Sequence, residues 1–310
     1  MRIYFNRRPV EGPWGGGSKI LNSVIKECLQ RGHSIYFDDD LHNLDRLDVI
    51  FCFDPRPSQQ VNYSDLLNKR RHTGAKLIQR VGDLGTHGKP ELTSLVAQTC
   101  NFADCVVFPS LWAKLSLESL TGALRNAAII ENAPLPCFIT ERKAKDFSRT
   151  IKIVSHHWSN NAMKGFEIYA QLDDFCQKSN GKYEFTFIGR KPENINFSNY
   201  IGPKDANELV DLLSNKHIYV TASKYEAGAN HVLEALGVNL PILYHKEGGS
   251  IVDYCKHYGF MFDTFENLQY CLENKMNDIE NIFNNMNYVR STFEMSKEYV
   301  DLIEKIKNES

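Results

Sequence analysis

Two glutamates eight positions apart, Glu226 and Glu234, stand in the segment Thr221-Ala222-Ser223-Lys224-Tyr225-Glu226-Ala227-Gly228-Ala229-Asn230-His231-Val232-Leu233-Glu234-Ala235-Leu236-Gly237. An apolar run ending at Thr221 predicts a strand and Asn230–Leu236 predicts a helix. Glu226 then falls in the loop after the strand, and Glu234 about one turn into the helix, at ~3.6 residues per turn. Between them Gly228 lets the backbone approach a ligand closely. The N–H groups near Ala229, Asn230 and His231 sit at a helix start, which favours an anion such as a diphosphate. By themselves two glutamates more often cap a helix and face solvent.

A second candidate is Lys164, in Ile153-Val154-Ser155-His156-His157-Trp158-Ser159-Asn160-Asn161-Ala162-Met163-Lys164-Gly165-Phe166. An ammonium on a long stem, placed after a strand and just before a helix, can reach a diphosphate and neutralise charge developing on it. In the N-terminal half Gly12-Pro13-Trp14-Gly15-Gly16-Gly17-Ser18 follows the first strand and opens the first helix. Bare backbone at Gly16 and Gly17 can approach phosphate or sugar. The consecutive glycines do not have the spacing of the dinucleotide fingerprint, which argues against a dehydrogenase.

The elements that must position these residues alternate along the chain. Strands are expected at Arg2–Phe5, Ser34–Phe37, Val49–Phe53, Lys76–Arg80 and Cys105–Phe108, with helices at Ser18–Arg31, Ser64–Arg71, Glu91–Asn101 and Ala113–Leu120. Asn132-Ala133-Pro134-Leu135-Pro136 and the charged stretch Glu141–Asp146 then read as a linker. The alternation restarts with strands at Ile151–Ser155, Glu184–Ile188, His217–Thr221 and Leu240–Tyr244, and helices at Gly165–Lys178, Asp205–Leu213, Asn230–Leu236 and Ser250–His257. Beyond Phe265 the chain reads as helical and strand-free, with a last helix near Thr292–Lys307. The expectation is α/β: two doubly wound Rossmann-like domains, 1–145 and 146–285, and a tail helix, 286–310, free to pack back on the first. Facing each other, two such domains form a cleft, with functional residues just after strands.

The order strand, Ser, Glu, glycine turn, helix, second Glu, Pro241 and a further strand resembles the E-x7-E signature of retaining GT-B glycosyltransferases, especially glycosyltransferase family 4. The resemblance implies that Glu226 contacts donor-sugar hydroxyls and that Glu234 holds the ribose of the nucleotide. It also implies that Lys164 neutralises the leaving diphosphate, and that Gly16 and Gly17 near the donor phosphate and the acceptor. The activity implied is hexosyl transfer, with retention, from a UDP- or GDP-linked sugar to a glycan or lipid-linked acceptor, without cofactor. Members commonly carry an arginine where this chain has Ser155-His156-His157. His156 or His157 as a neutral donor, or Arg190 from the next strand end, would replace it, and either histidine would equally suit packing. Asp83 and His87, in Val81-Gly82-Asp83-Leu84-Gly85-Thr86-His87-Gly88, either orient or deprotonate an acceptor hydroxyl or form an ordinary Asx-turn. The Gly248-Gly249 turn matches another family feature by position, although Ile251 and Val252 intervene before Asp253.

Composition bounds the rest. With a net charge of −2 over 310 residues the chain shows no attraction for nucleic acid. No leader and no apolar run near the ~20 residues that span a bilayer is read, so a cytoplasmic protein is expected. The eight cysteines lack a CxxC pair and read as reduced and structural. Asp38-Asp39-Asp40 suits a metal-held diphosphate only in isolation and reads as a solvated turn, so no metal is expected. Basic residues at Lys69-Arg70-Arg71-His72 and Arg142-Lys143-Ala144-Lys145 allow peripheral contact with anionic lipid but suit a solvated helix end better. The alternatives to a transferase are a nucleotide-sugar epimerase on the same plan and a catalytically silent sugar-nucleotide or glycan-binding protein.

Overall fold

The structure is a computed structural model that describes residues 1–10, 16–38 and 40–309. The chain divides into two compact units, Met1–Asn132 with Thr292–Ser310, and Ala133–Ser291.

In the first unit six strands form one parallel sheet: β1 (Arg2–Phe5), β2 (Ser34–Tyr36), β3 (Val49–Cys52), β4 (Lys76–Arg80), β5 (Cys105–Phe108) and β6 (Ala127–Ile129), ordered β2-β1-β3-β4-β5-β6. Helices α1 (Gly16–Gln30), α2 (Asp40–Asn43), α3 (Tyr63–Thr73), α4 (Pro90–Cys100) and α5 (Leu111–Thr121) make the crossovers. The central strands β3 and β5 are buried throughout, which is why they read as unbroken apolar runs. On α1 the buried Ile20, Leu21, Val24, Ile25 and Cys28 recur at helical spacing. An Asn62/Asp65 capping box starts α3 and Gly74, at φ 71°, ends it. The strand order reverses between β1 and β3, which opens a crevice beyond their carboxyl ends.

The second unit repeats the principle with β7 (Ile151–His157), β8 (Tyr183–Gly189), β9 (Tyr200–Ile201), β10 (Ile218–Thr221), β11 (Ile242–His245) and β12 (Gly259–Phe262). They are parallel and ordered β12-β11-β10-β7-β8-β9, so the reversal lies between β7 and β10. The helices are α6 (Phe166–Gln177), α7 (Ala206–Ser214), α8 (Asn230–Gly237), α9 (Ser250–Cys255), α10 (Phe265–Asn274) and α11 (Met276–Asn285). Alternate residues feed two cores: Val154, Ile188, Tyr219 and Ile242 join one, Ile153, Phe187, Val220 and Leu243 the other. The last helix, α12 (Thr292–Asn308), belongs to the first unit, where Arg31 Nη1 bonds Asp301 at 2.6 Å and Glu304 at 3.1 Å.

Three strands go beyond the sequence expectation. The edge strands β6 and β9 are short and partly exposed, so they lack an apolar run. The first residue of β12 is Gly259, where a Cβ would lie 1.7 Å from the Ile242 carbonyl oxygen. A glycine that weakens the strand pattern in sequence is thus required by strand pairing. The division between units falls after Asn132, ahead of the expected 145/146 boundary, because the expected linker is packed into the second unit. Phe138 is fully buried there beneath Gly237, and Arg142 Nη1 donates to the Phe283 and Met286 carbonyls, each at 3.1 Å. Seven of the eight cysteines are buried, with Cys137 exposed. Among the described residues no helix is long and apolar enough to cross a membrane.

Candidate functional site

The turn that carries Lys164, Ala162–Lys164, is capped by Asn161, whose side chain accepts the Met163 N–H at 2.9 Å. Gly165 ends the turn at φ +74°, and a Cβ there would lie 2.4 Å from the Ala222 carbonyl oxygen. Only glycine lets this turn press onto the chain leaving β10. The Lys224 N–H also donates to the Met163 carbonyl at 2.9 Å. The result is an ion pair between Lys164 Nζ and Glu226 Oε1 at 2.5 Å, with side chains 12% and 13% exposed. Gly165→Ala is expected to cost about 1–3 kcal/mol through strain and overpacking, read as a melting temperature lower by several degrees, and to separate Lys164 from Glu226.

Glu226 is held in place by its own loop. Its N–H donates to the Gly248 carbonyl at 3.2 Å and its carbonyl accepts from Ser250 at 2.8 Å. The preceding Tyr225 adopts φ 52°, unfavourable for a bulky side chain. Glu247 holds it there: its carbonyl accepts the Tyr225 N–H at 2.7 Å, its Oε1 accepts the phenol at 2.7 Å and its Oε2 accepts Lys224 Nζ at 2.8 Å. The Lys224 ammonium, helped by the Tyr225 phenol, brings the Glu247 carboxyl down to about 2. A depressed carboxyl stabilises the fold above the ordinary carboxylate range and loses that contribution as pH falls toward its folded value.

Glu234, on α8, is buried and meets His156 at the end of β7, where Nε2 lies 2.8 Å from Oε2. An ionised carboxylate only accepts, so the ring proton sits on Nε2. The His156 backbone is clamped by the Tyr219 phenol, at 3.1 Å to both its N–H and its carbonyl. His157 bonds the Tyr169 hydroxyl at 2.7 Å, and that hydroxyl accepts the Ala222 N–H at 2.9 Å. His231 turns its ring inward to Thr221 at 3.0 Å and packs 4.8 Å from the His157 ring. Both histidines at the end of β7 are therefore interior groups, whereas Arg190 is exposed, its N–H donating to the His157 carbonyl at 2.9 Å.

At the start of α8 the helix has no side-chain cap. The expected open row of N–H groups is shorter by one, because Ala229 donates to Ser250 Oγ at 3.0 Å. Gly228 and Asn230 are half-buried beside it. Among the described residues, three buried atoms in these segments have no hydrogen-bond partner: His156 Nδ1, Ser223 Oγ and Asn230 Oδ1. Orphaned buried polar atoms of this kind are uncommon in folded proteins.

In the first unit Gly16, Gly17 and Asp83 line a cavity of about 440 Å³ beyond β1, β3 and β4. Gly12–Gly15 of the expected glycine loop lie outside the described residues. Asp83 Oδ1 accepts the Gly85 N–H at 2.8 Å, an Asx-turn, and Oδ2 accepts Lys89 Nζ at 2.9 Å. Burial works to raise this carboxyl, but Lys89 and the Gly85 N–H outweigh it and hold Asp83 below its ordinary value. His87 is half-buried and is not among the described residues lining the cavity. Asp38 pairs with Arg8 at 2.8 Å and Asp40 opens α2, while Asp39 lies outside the described residues. Of the basic cluster on α3, Lys69 and Arg70 are bound within the unit, to the His42 and Leu44 carbonyls and to Asp104.

The structure thus joins Lys164 to Glu226, which sequence reasoning chose separately, and Glu234 to His156. Sequence reasoning missed Tyr169, Ser250, Glu247 and, in the lining of the first unit's cavity, Arg7, Arg8, Arg56 and Arg80. Only Glu247 carried a signal, as the one acidic residue in the turn before Gly248-Gly249.

No protein-family model and no curated protein matches the sequence. Many solved structures match the fold. HepE of Anabaena, solved with UDP and glucose, is 12% identical with a TM-score of 0.68, covering 98% of this chain and 99% of that one. WaaG, a glycosyltransferase involved in lipopolysaccharide biosynthesis, is 10% identical with a TM-score of 0.66, covering 98% and 99%. The pneumococcal O-GlcNAc transferase GtfA is 11% identical with a TM-score of 0.63, over 87% of this chain and 59% of that one. The fold is therefore GT-B, with two Rossmann-like domains.

Proposed function

We propose that this chain transfers a sugar, with retention, from a UDP- or GDP-linked donor to a hydroxyl of a glycan or lipid-linked acceptor, without a metal ion or cofactor. The observation that carries the reading is the Lys164–Glu226 pair. An ammonium has three donors, and one spent on Glu226 leaves two for the leaving diphosphate. Glu226 Oε2 is left to accept a donor-sugar hydroxyl, so one contact sets the sugar beside the charge that receives its leaving group. The uncapped start of α8 supplies further N–H groups for the diphosphate. Glu234 supplies a carboxylate for the ribose, its direction set by His156. The likeness in fold to a glycosyltransferase and to HepE, crystallised with UDP and glucose, supports the same reading. Departure of the diphosphate is the demanding step, and preorganised donors lower its barrier by about 2.7–4 kcal/mol each.

The test is a panel of UDP-, GDP- and ADP-sugars without added metal, read by thermal shift and by release of free sugar. One donor is expected to raise the melting temperature by several degrees and to be slowly hydrolysed. Stabilisation without release of sugar would favour a silent binding protein, and a panel in which no donor stabilises the chain would sink the proposal.

A further inference from the structure

The cavity in the first unit contains a cation that no carboxylate among the described residues neutralises. Arg80, at the end of β4, is 4% exposed. Its Nε donates to the Tyr299 hydroxyl at 3.0 Å and its Nη2 to Asn132 Oδ1 at 3.0 Å, both neutral acceptors. Its Nη1 has no acceptor among the described residues, and no carboxylate there pairs with the group. The guanidinium sits 4.8 Å from the centre of the Phe53 ring. It also fills the space over Gly82, where a Cβ would lie 1.9 Å from Nη1. Gly82 is therefore a glycine that makes room for a charged group on the cavity wall. A buried guanidinium is costly unless an anion compensates it.

The rest of the lining agrees. Arg7, Arg8 and Arg56 also line it with Asp54 and Asp83, Arg8 being paired with Asp38 at 2.8 Å and Arg7 lying 3.8 Å from Asp54. Both aspartates are engaged, Asp54 by Arg56 at 3.0 Å and Asp83 by Lys89 at 2.9 Å. Gly16 and Gly17 line the same wall, where the lack of side chains leaves backbone open to a ligand. The apolar Leu21, Leu92 and Val96 complete the lining. The cavity opens at the β1/β3 reversal, where an open α/β sheet binds its ligand.

We propose that this cavity is the acceptor site and that it recognises a phosphate ester on the acceptor, with Arg80 as the residue that specifies it. The acceptor role rests on the transferase reading above. The phosphate binding does not depend on it, since every group named lies in the first unit. Arg80 supplies fixed donors from Nη1, and the apolar part of the lining takes the carbon skeleton.

The experiment is calorimetric titration of hexyl phosphate against hexanol, and of glucose 6-phosphate against glucose, into wild type, Arg80→Gln and the Arg8→Ser/Arg56→Ser double variant, with UDP titrated in parallel. At least one phosphate is expected to bind ten-fold or more tightly than its neutral counterpart. Hexyl phosphate as the ligand would indicate a lipid phosphate, glucose 6-phosphate a phosphorylated sugar. Arg80→Gln is expected to abolish the preference while UDP affinity stays unchanged. Should Arg80→Gln fail to fold, the double variant, whose guanidinium groups are far more exposed, must weaken phosphate binding at least three-fold. Equal binding of phosphate and neutral compounds would overturn the proposal, as would variants without effect or an Arg80→Gln protein that loses UDP instead. UDP failing to bind wild type while the phosphate preference persists would instead remove the donor-site reading and leave the cavity assignment standing.

Discussion

On the proposed transferase reading, Lys164→Met is expected to lower kcat by about 100–1000-fold, the loss when one preorganised donor to a developing oxyanion is removed at about 2.7–4 kcal/mol. The substitution also leaves Glu226 without the ammonium 2.5 Å away, in a site where both side chains are largely covered. Some loss of stability follows from that alone, because breaking a shielded pair strands a charge. The double variant Lys164→Met/Glu226→Gln separates the two effects. It removes both charges, so its melting temperature is expected at or above that of Lys164→Met, while its kcat stays as low. Residues that act as one unit lose activity once, so the double variant is not expected to multiply the two single losses. Near-normal turnover by Lys164→Met would remove the lysine from the mechanism. A double variant that recovered activity along with stability would assign the pair to structure alone.

The fold was legible where burial imposes a simple pattern. Strands covered on both faces, such as Val49–Cys52 and Ile218–Thr221, can only be continuous apolar runs, and amphipathic stretches between them can only be crossovers. Edge strands escape because one side is open and their residues are mixed, as in Ala127–Ile129. The boundary between units escaped for a related reason. Prolines and a charge run look like a tether, but Phe138 and Arg142 anchor that stretch through one apolar side chain and two carbonyls far along the chain. The candidate site was legible as two loops after strands, because in parallel sheets the chemistry gathers at strand ends. Contacts that decide the site's geometry were not legible: Gly165 against Ala222, Glu247 on Tyr225 and Tyr219 on His156 join residues 22 to 63 positions apart. Arg80 is the clearest case, since in sequence it closes a strand like any surface arginine and only the structure buries it with no carboxylate partner among the described residues.

The pairing of Glu234 with His156 yields a prediction that divides structure from binding. Glu234→Ala strands a buried imidazole whose Nδ1 already lacks a partner. Loss of a hydrogen bond to a charged group and exposure of an unsatisfied donor cost about 2–4 kcal/mol together, or roughly 4–16 °C for a unit of this size. Glu234→Gln keeps an oxygen in place to accept the His156 Nε2–H, so its melting temperature is expected within a few degrees of wild type. It loses the negative charge that makes a carboxylate the stronger acceptor for two ribose hydroxyls, and a loss of about 1.4 kcal/mol weakens the donor ten-fold. Thermal melting and nucleotide titration of the two variants check both halves. A glutamine variant that bound the donor as tightly as wild type would leave Glu234 as the partner of His156 and nothing more. Weak binding without loss of stability would give it the ribose, with His156 as the residue that aims it.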